Sequence, residues 1–155
     1  MWVFLPETVR NIDDWIVGRY ANPPQQKVTQ CRTLIQKNDN SAKECLESLL
    51  TGKLSNVKKE DRLARLKRDV LKEAVVFFHK KHDLDKAIFW VDEWIRFDER
   101  DLTAKVSKAQ VYFSFPEKRK ESLDLLSSLN DKYPDVVMIT NAYRDALTFS
   151  KNNSQ

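Results

Sequence analysis

Glycine, cysteine and histidine each occur only twice in the 155 residues, and each shortage excludes a class of function. Gly18 and Gly52 alone supply neither a glycine-rich loop to cradle a phosphate nor a nucleophile elbow. The two histidines, His79 and His82, sit three apart near a helix end, with Asp83 and Asp85 in the turn that follows. Zinc needs more ligands than this, and a basic helix terminus alongside Lys80 and Lys81 is the simpler account. The chain is therefore read as non-enzymatic, with no catalytic residue, no metal and no cofactor. Cys31 and Cys45 are too few for the disulfide framework of a small secreted domain. They fall on facing helices of one hairpin, where two buried free thiols are expected and a disulfide is the alternative. No apolar run approaches the ~20 residues of a membrane span, which favours a cytoplasmic protein. The opening Met1-Trp2-Val3-Phe4-Leu5-Pro6 lacks a basic leader and is too short for a signal peptide. It either packs on the first helix or is the remnant of an anchor, in which case the chain is membrane-tethered or exported.

What is abundant points to helices. Hydrophobic residues make up 41% and charged residues 32% of the chain, a balance that suits an elongated helical body and is too apolar for disorder. All five prolines, Pro6, Pro23, Pro24, Pro116 and Pro134, fall where helical patterning pauses. Apolar residues at three- and four-residue spacings predict helices over 7–20, 25–37, 42–51, 61–81, 84–97, 102–113, 117–132 and 136–150. Ser41 with Glu44 forms a candidate capping box, and Gly52 a candidate helix stop. About eight helices joined by short turns pair as antiparallel hairpins. One helical domain is expected over 1–150, with N-terminal helices and a hairpin over 1–52, further hairpins over 61–150 and a disordered tail over 151–155. The net charge of +4 is unevenly placed: residues 51–82 carry ten Lys or Arg against four Asp or Glu, and residues 83–101 carry seven acids against three bases.

Within the helical half an echo appears. Leu71, Ala74, Phe78, Ala87, Val91 and Trp94 are followed, each thirty-five residues later, by Val106, Ala109, Phe113, Ser122, Leu126 and Leu129. A fixed period of this size marks stacked repeats. With Asp85-Lys86-Ala87-Ile88 opening a hydrophobic helix and Pro134 closing the second unit, residues 68–135 resemble tetratricopeptide repeats. Val75, Gln110, Trp94 and Leu129 depart from the small residues the family favours, and Glu99 replaces the first closing proline. The resemblance implies an all-α fold, antiparallel hairpins stacked as a short α-solenoid, and a non-catalytic adaptor, scaffold or chaperone-like subunit. Such a protein holds a peptide or helix of a partner in a groove lined by first helices.

By position, that groove would take Asp69, Lys72, Val76, His79 and Lys80 from one helix and Ser107, Lys108 and Val111 from the next. Lys72 and Lys108 partly resemble the clamp with which some family members hold a terminal carboxylate. Val76 and Val111, however, stand where polar groups would be needed, so a mixed polar and apolar groove fits better. Phe77, Phe89 and Trp90 exceed the needs of one hairpin core. They either pack against N-terminal helices or form a patch for self-association or a partner. The competing reading is nucleic-acid association through the basic segment 58–72, with Lys58, Lys59, Arg62, Arg65 and Lys67 meeting phosphates. Glu60, Asp61, Asp69 and Glu73 interrupt that surface, and no nucleic-acid-binding motif accompanies it.

Overall fold

A computed structural model describes residues 23–153. Among the described residues the fold is all-helical, with seven α-helices and no strand. They are α1 (Pro23–Gln36), α2 (Ala42–Thr51), α3 (Ala64–Lys80), α4 (Leu84–Phe97), α5 (Leu102–Phe113), α6 (Arg119–Lys132) and α7 (Val137–Asn153), with a 3-10 turn at Pro116–Lys118 leading into α6. The eighth expected helix, over 7–20, lies outside the described residues. The chain divides into two compact units, one up to Val70 and one from Leu71 onward. The boundary falls inside α3.

In the first unit α1 packs against α2. Their hairpin is closed by a disulfide between Cys31 and Cys45, whose Cα atoms lie 5.4 Å apart. The expectation of two free thiols is thus corrected: both cysteines are buried as expected, but facing stripes of one hairpin bring them within bonding reach. The turn between the helices has Asn38 at φ 54°. Its N–H bonds Ile35 O at 3.0 Å and the Asp39 N–H bonds Leu34 O at 2.9 Å, a Schellman closure. The predicted capping box does not form. The Asp39 carboxylate accepts both the Ser41 N–H at 2.9 Å and the Ser41 hydroxyl at 2.7 Å, so Ser41 makes no cap bond. These two bonds hold the Asp39 carboxyl below the usual carboxylate range. At Gly52 a Cβ would lie 2.7 Å from the Ser48 carbonyl oxygen, which restricts this turn to glycine. After it, Leu54 is fully buried. The Lys67 ammonium donates to the carbonyls of Ser55 at 3.1 Å and Val57 at 3.0 Å, tying the loop to α3.

In the second unit the first echo set is entirely buried: Leu71, Ala74, Phe78, Ala87, Val91 and Trp94. In the second set Val106, Ala109, Ser122 and Leu126 are buried, and Phe113 and Leu129 are partly covered. Ser122 is a buried polar residue of this core, and it donates its hydroxyl to Ala109 O at 2.5 Å, satisfying itself across α5 and α6. Ala109, Leu126 and Ala146 form an apolar cluster shared by α5, α6 and α7. α3 ends in a second Schellman closure. His82 sits at φ 60°, its N–H reaches His79 O at 3.1 Å, and the Asp83 N–H reaches Phe78 O at 2.9 Å.

The acidic block 83–101 is largely structural. Asp83 caps α4 by accepting the Lys86 N–H at 3.3 Å. Asp101 caps α5 through the Ala104 N–H at 3.3 Å and accepts the Trp94 indole N–H at 2.9 Å. α7 runs on to Asn153, whose amide donates to Phe149 O at 2.8 Å. Residues 151–153 are thus helical where a disordered tail was expected.

Candidate binding surface

Side-chain contacts repeat the thirty-five-residue period seen in the sequence. His79 Nε2 and Ser114 Oγ, 35 residues apart, are hydrogen-bonded at 2.6 Å. Thr103 Oγ1 donates to Met138 Sδ at 3.8 Å, again across 35 residues. At the far end of the same helices the Phe113 and Phe149 rings meet edge to face at 5.2 Å. α5 and α7 therefore touch start to start and end to end, which makes them parallel neighbours, and the last turn of α3 reaches the end of α5. Arg119 secures the C-terminal ends. It lies over Phe113 at 5.4 Å and Phe149 at 4.9 Å and donates Nε–H to Phe113 O at 3.1 Å.

The residues expected to line a groove separate into three groups. Asp69, Lys72, Val76 and Lys80 follow one another at spacings of three and four along α3 and so share a face. Lys72 and Lys80 are exposed, Asp69 is half-buried and Val76 keeps 43% of its surface. His79 and Ser107 are half-buried on a flank. Burial, and secondarily the charge of His82, holds the His79 imidazole below its ordinary pKa of 6.5.

Lys108 and Val111 do not belong to this surface. Val111 is only 1% exposed, leaving its side chain nothing to offer a partner. Lys108 turns toward α4, pairing with Asp92 at 2.9 Å and lying over Tyr112 at 5.4 Å. Burial alone would lower its pKa, but the Asp92 carboxylate outweighs that and raises it. Lys108 and Tyr112 instead line an open cleft of about 430 Å³ with Glu121, Asp124, Leu125 and Ser128 of α6.

The aromatic patch also shrinks. Phe77 and Trp90 are buried, and only Phe89 of the three is exposed, at 53%. Phe77 meets Phe78 edge to face at 5.3 Å and Phe89 meets Trp90 at 4.8 Å, so two of the three rings are core. In the basic segment Lys58, Lys59, Arg62 and Arg65 are exposed. Lys67 is occupied by the loop carbonyls. Arg62 lies ahead of α3 rather than on it, so it does not continue the helix flank.

Sequence reading missed Met138 and Phe149, which are 38% and 41% exposed on α7. The signal was present: one more step of the period from Thr103 and Ser114 lands on them. It went unread because neither preserves the residue type of its counterpart. Among the described residues no group of three or more His, Cys, Asp or Glu is placed to hold a metal ion. No described helix is long and apolar enough to cross a membrane. Comparison with protein-family models, with curated proteins and with solved structures gives no match to this chain.

Proposed function

We propose that the second unit is a short, degenerate tetratricopeptide-like stack of helical hairpins and that the protein is a non-catalytic adaptor, scaffold or chaperone-like subunit. Its ligand is a peptide or helix of another protein. The observation that carries this reading is the pair of contacts at a separation of 35 residues, His79 with Ser114 and Thr103 with Met138. Equivalent positions of successive first helices touch when hairpins stack in register, and such stacks expose a continuous helical surface for partners. Within the second unit the exposed positions open to such a partner are Lys72, Val76 and Lys80 of α3 and Met138 and Phe149 of α7. The Cys31–Cys45 disulfide favours an oxidising compartment over the cytoplasm.

A second reading, nucleic-acid association, retains the exposed Lys58, Lys59, Arg62 and Arg65. Affinity capture with the full chain from its native cells separates the two. The adaptor reading expects a specific protein to remain bound at about 0.3 M salt after nuclease treatment. Phosphate-driven binding falls steeply over that range. Material that is lost to nuclease or salt, with nothing protein-specific retained, contradicts the adaptor reading.

A further inference from the structure

Val76, Val111 and Ala146 occupy one register position in α3, α5 and α7, yet their exposures are 43%, 1% and 8%. Val111 lies one turn before Ser114, whose hydroxyl meets His79 of α3, so that side of α5 is turned toward α3. Ala146 is covered through its cluster with Ala109 of α5 and Leu126 of α6. At this register position α5 and α7 are thus buried, whereas α3 is exposed. Lys72, Val76 and Lys80 recur every four residues along it. The two lysines are exposed, and neither is engaged in an ion pair among the described residues.

We infer that this exposed edge, Lys72–Val76–Lys80, receives an acidic amphipathic helix of a partner protein, laid along α3. The inference rests on the binding reading above and names the partner's chemistry. A small apolar contact between two cations matches a helix with carboxylates eight residues apart and an apolar residue midway between them. A second copy of this chain is a poor occupant, because a two-fold contact would set Lys72 and Lys80 against their own counterparts. Nucleic acid would engage the two ammonium groups but gain nothing from Val76.

The test uses the full chain and a labelled synthetic helical peptide of about 20 residues, long enough to hold helix, with two Glu eight apart and a Leu between them. Fluorescence anisotropy is expected to show binding that weakens about tenfold or more in the Lys72→Glu/Lys80→Glu double variant. Binding by that variant returns when the peptide carries Lys in place of both Glu, and Val76→Asp weakens binding in the wild-type background. These side chains are exposed, and circular dichroism checks that the variants keep their helices. Equal binding by wild type and double variant, or no restoration by the reversed peptide, overturns the edge while leaving the adaptor reading standing. Failure of the peptide to bind the wild-type chain overturns the edge as well. A DNA duplex that binds with the same dependence on all three residues, while no peptide binds, overturns both.

Discussion

The Trp94 indole N–H donates to the Asp101 carboxylate at 2.9 Å, so one side chain of α4 is fastened to the cap of α5. Asp101 also receives the first-turn Ala104 N–H and thus supports two features together. Asp101→Ala is expected to cost about 2–3 kcal/mol, the sum of a lost cap and a lost charged hydrogen bond. Trp94→Phe loses the same hydrogen bond and some buried ring volume. It should still cost less than Asp101→Ala, because it keeps the α5 cap and leaves no buried indole N–H without a partner. Urea unfolding of both variants measures this order; Trp94→Phe as the costlier change would contradict it.

Trp90 offers the opposite case. Its indole nitrogen is buried with no hydrogen-bond partner, so its N–H loses water without compensation. Trp90→Phe is expected to be neutral within about 1 kcal/mol, the smaller ring offsetting the removed polar group. Thermal melts of Trp90→Phe and Trp94→Phe side by side give the contrast directly. A loss at Trp90 well above that range would show a partner for its N–H.

His82 holds a left-handed backbone at φ 60°, a region that costs a residue with a Cβ free energy. His82→Gly should stabilise the protein by about 0.5–1 kcal/mol, because relief of that strain exceeds the added unfolded-state entropy. Asn38→Gly should gain less, since asparagine tolerates this region better. Matched denaturation curves would contradict the turn geometry if both substitutions destabilised.

The pH dependence of stability carries a sign that can be checked. The folded-state pKa of His79 lies below 6.5, chiefly through burial and further through His82. The unfolded chain therefore binds the proton more readily. The associated stability is fully present above the unfolded pKa and declines as pH falls from there through the folded pKa. The histidine titration followed by NMR should have its midpoint below 6.5. His79→Gln should flatten the fall in melting temperature between about pH 7.5 and about pH 5. A midpoint above 6.5 would contradict the half-buried, Ser114-bonded imidazole.

Closure of the α1–α2 hairpin by Cys31–Cys45, at a sequence separation of 14, is expected to stabilise the first unit by about 3 kcal/mol. Thiol titration of the denatured, unreduced chain should find neither Cys31 nor Cys45 free. Reduction should lower the denaturant midpoint. Two titratable thiols before reduction would contradict the oxidised pair.

The helices were legible because their apolar residues recur at helical spacing in long segments, and α4 and α5 match their predicted ends residue for residue. The core positions of the first echo set were legible for the same reason. Side-chain direction was harder to read. Ser107 and Lys108 are adjacent in sequence, but a step of one residue turns a helix by about 100°, enough to carry Lys108 to Asp92 and the α4 side. Val111 repeats the position of Val76, yet it is buried because a neighbour covers it, and a linear pattern does not state which helices have neighbours. The Ser41 cap failed for a local reason: Asp39, two residues upstream, competes for the same hydroxyl. Met138 and Phe149 show that the period carries position further than it carries residue type.

The most direct test of the central claim is site-specific photo-crosslinking in native cells, with the reactive group placed at position 76 on the open side of α3 or at the exposed position 96 on α4. The account predicts a discrete protein adduct from position 76 and none from position 96. Equal labelling at both sites, or an adduct at 76 that nuclease removes, would contradict it.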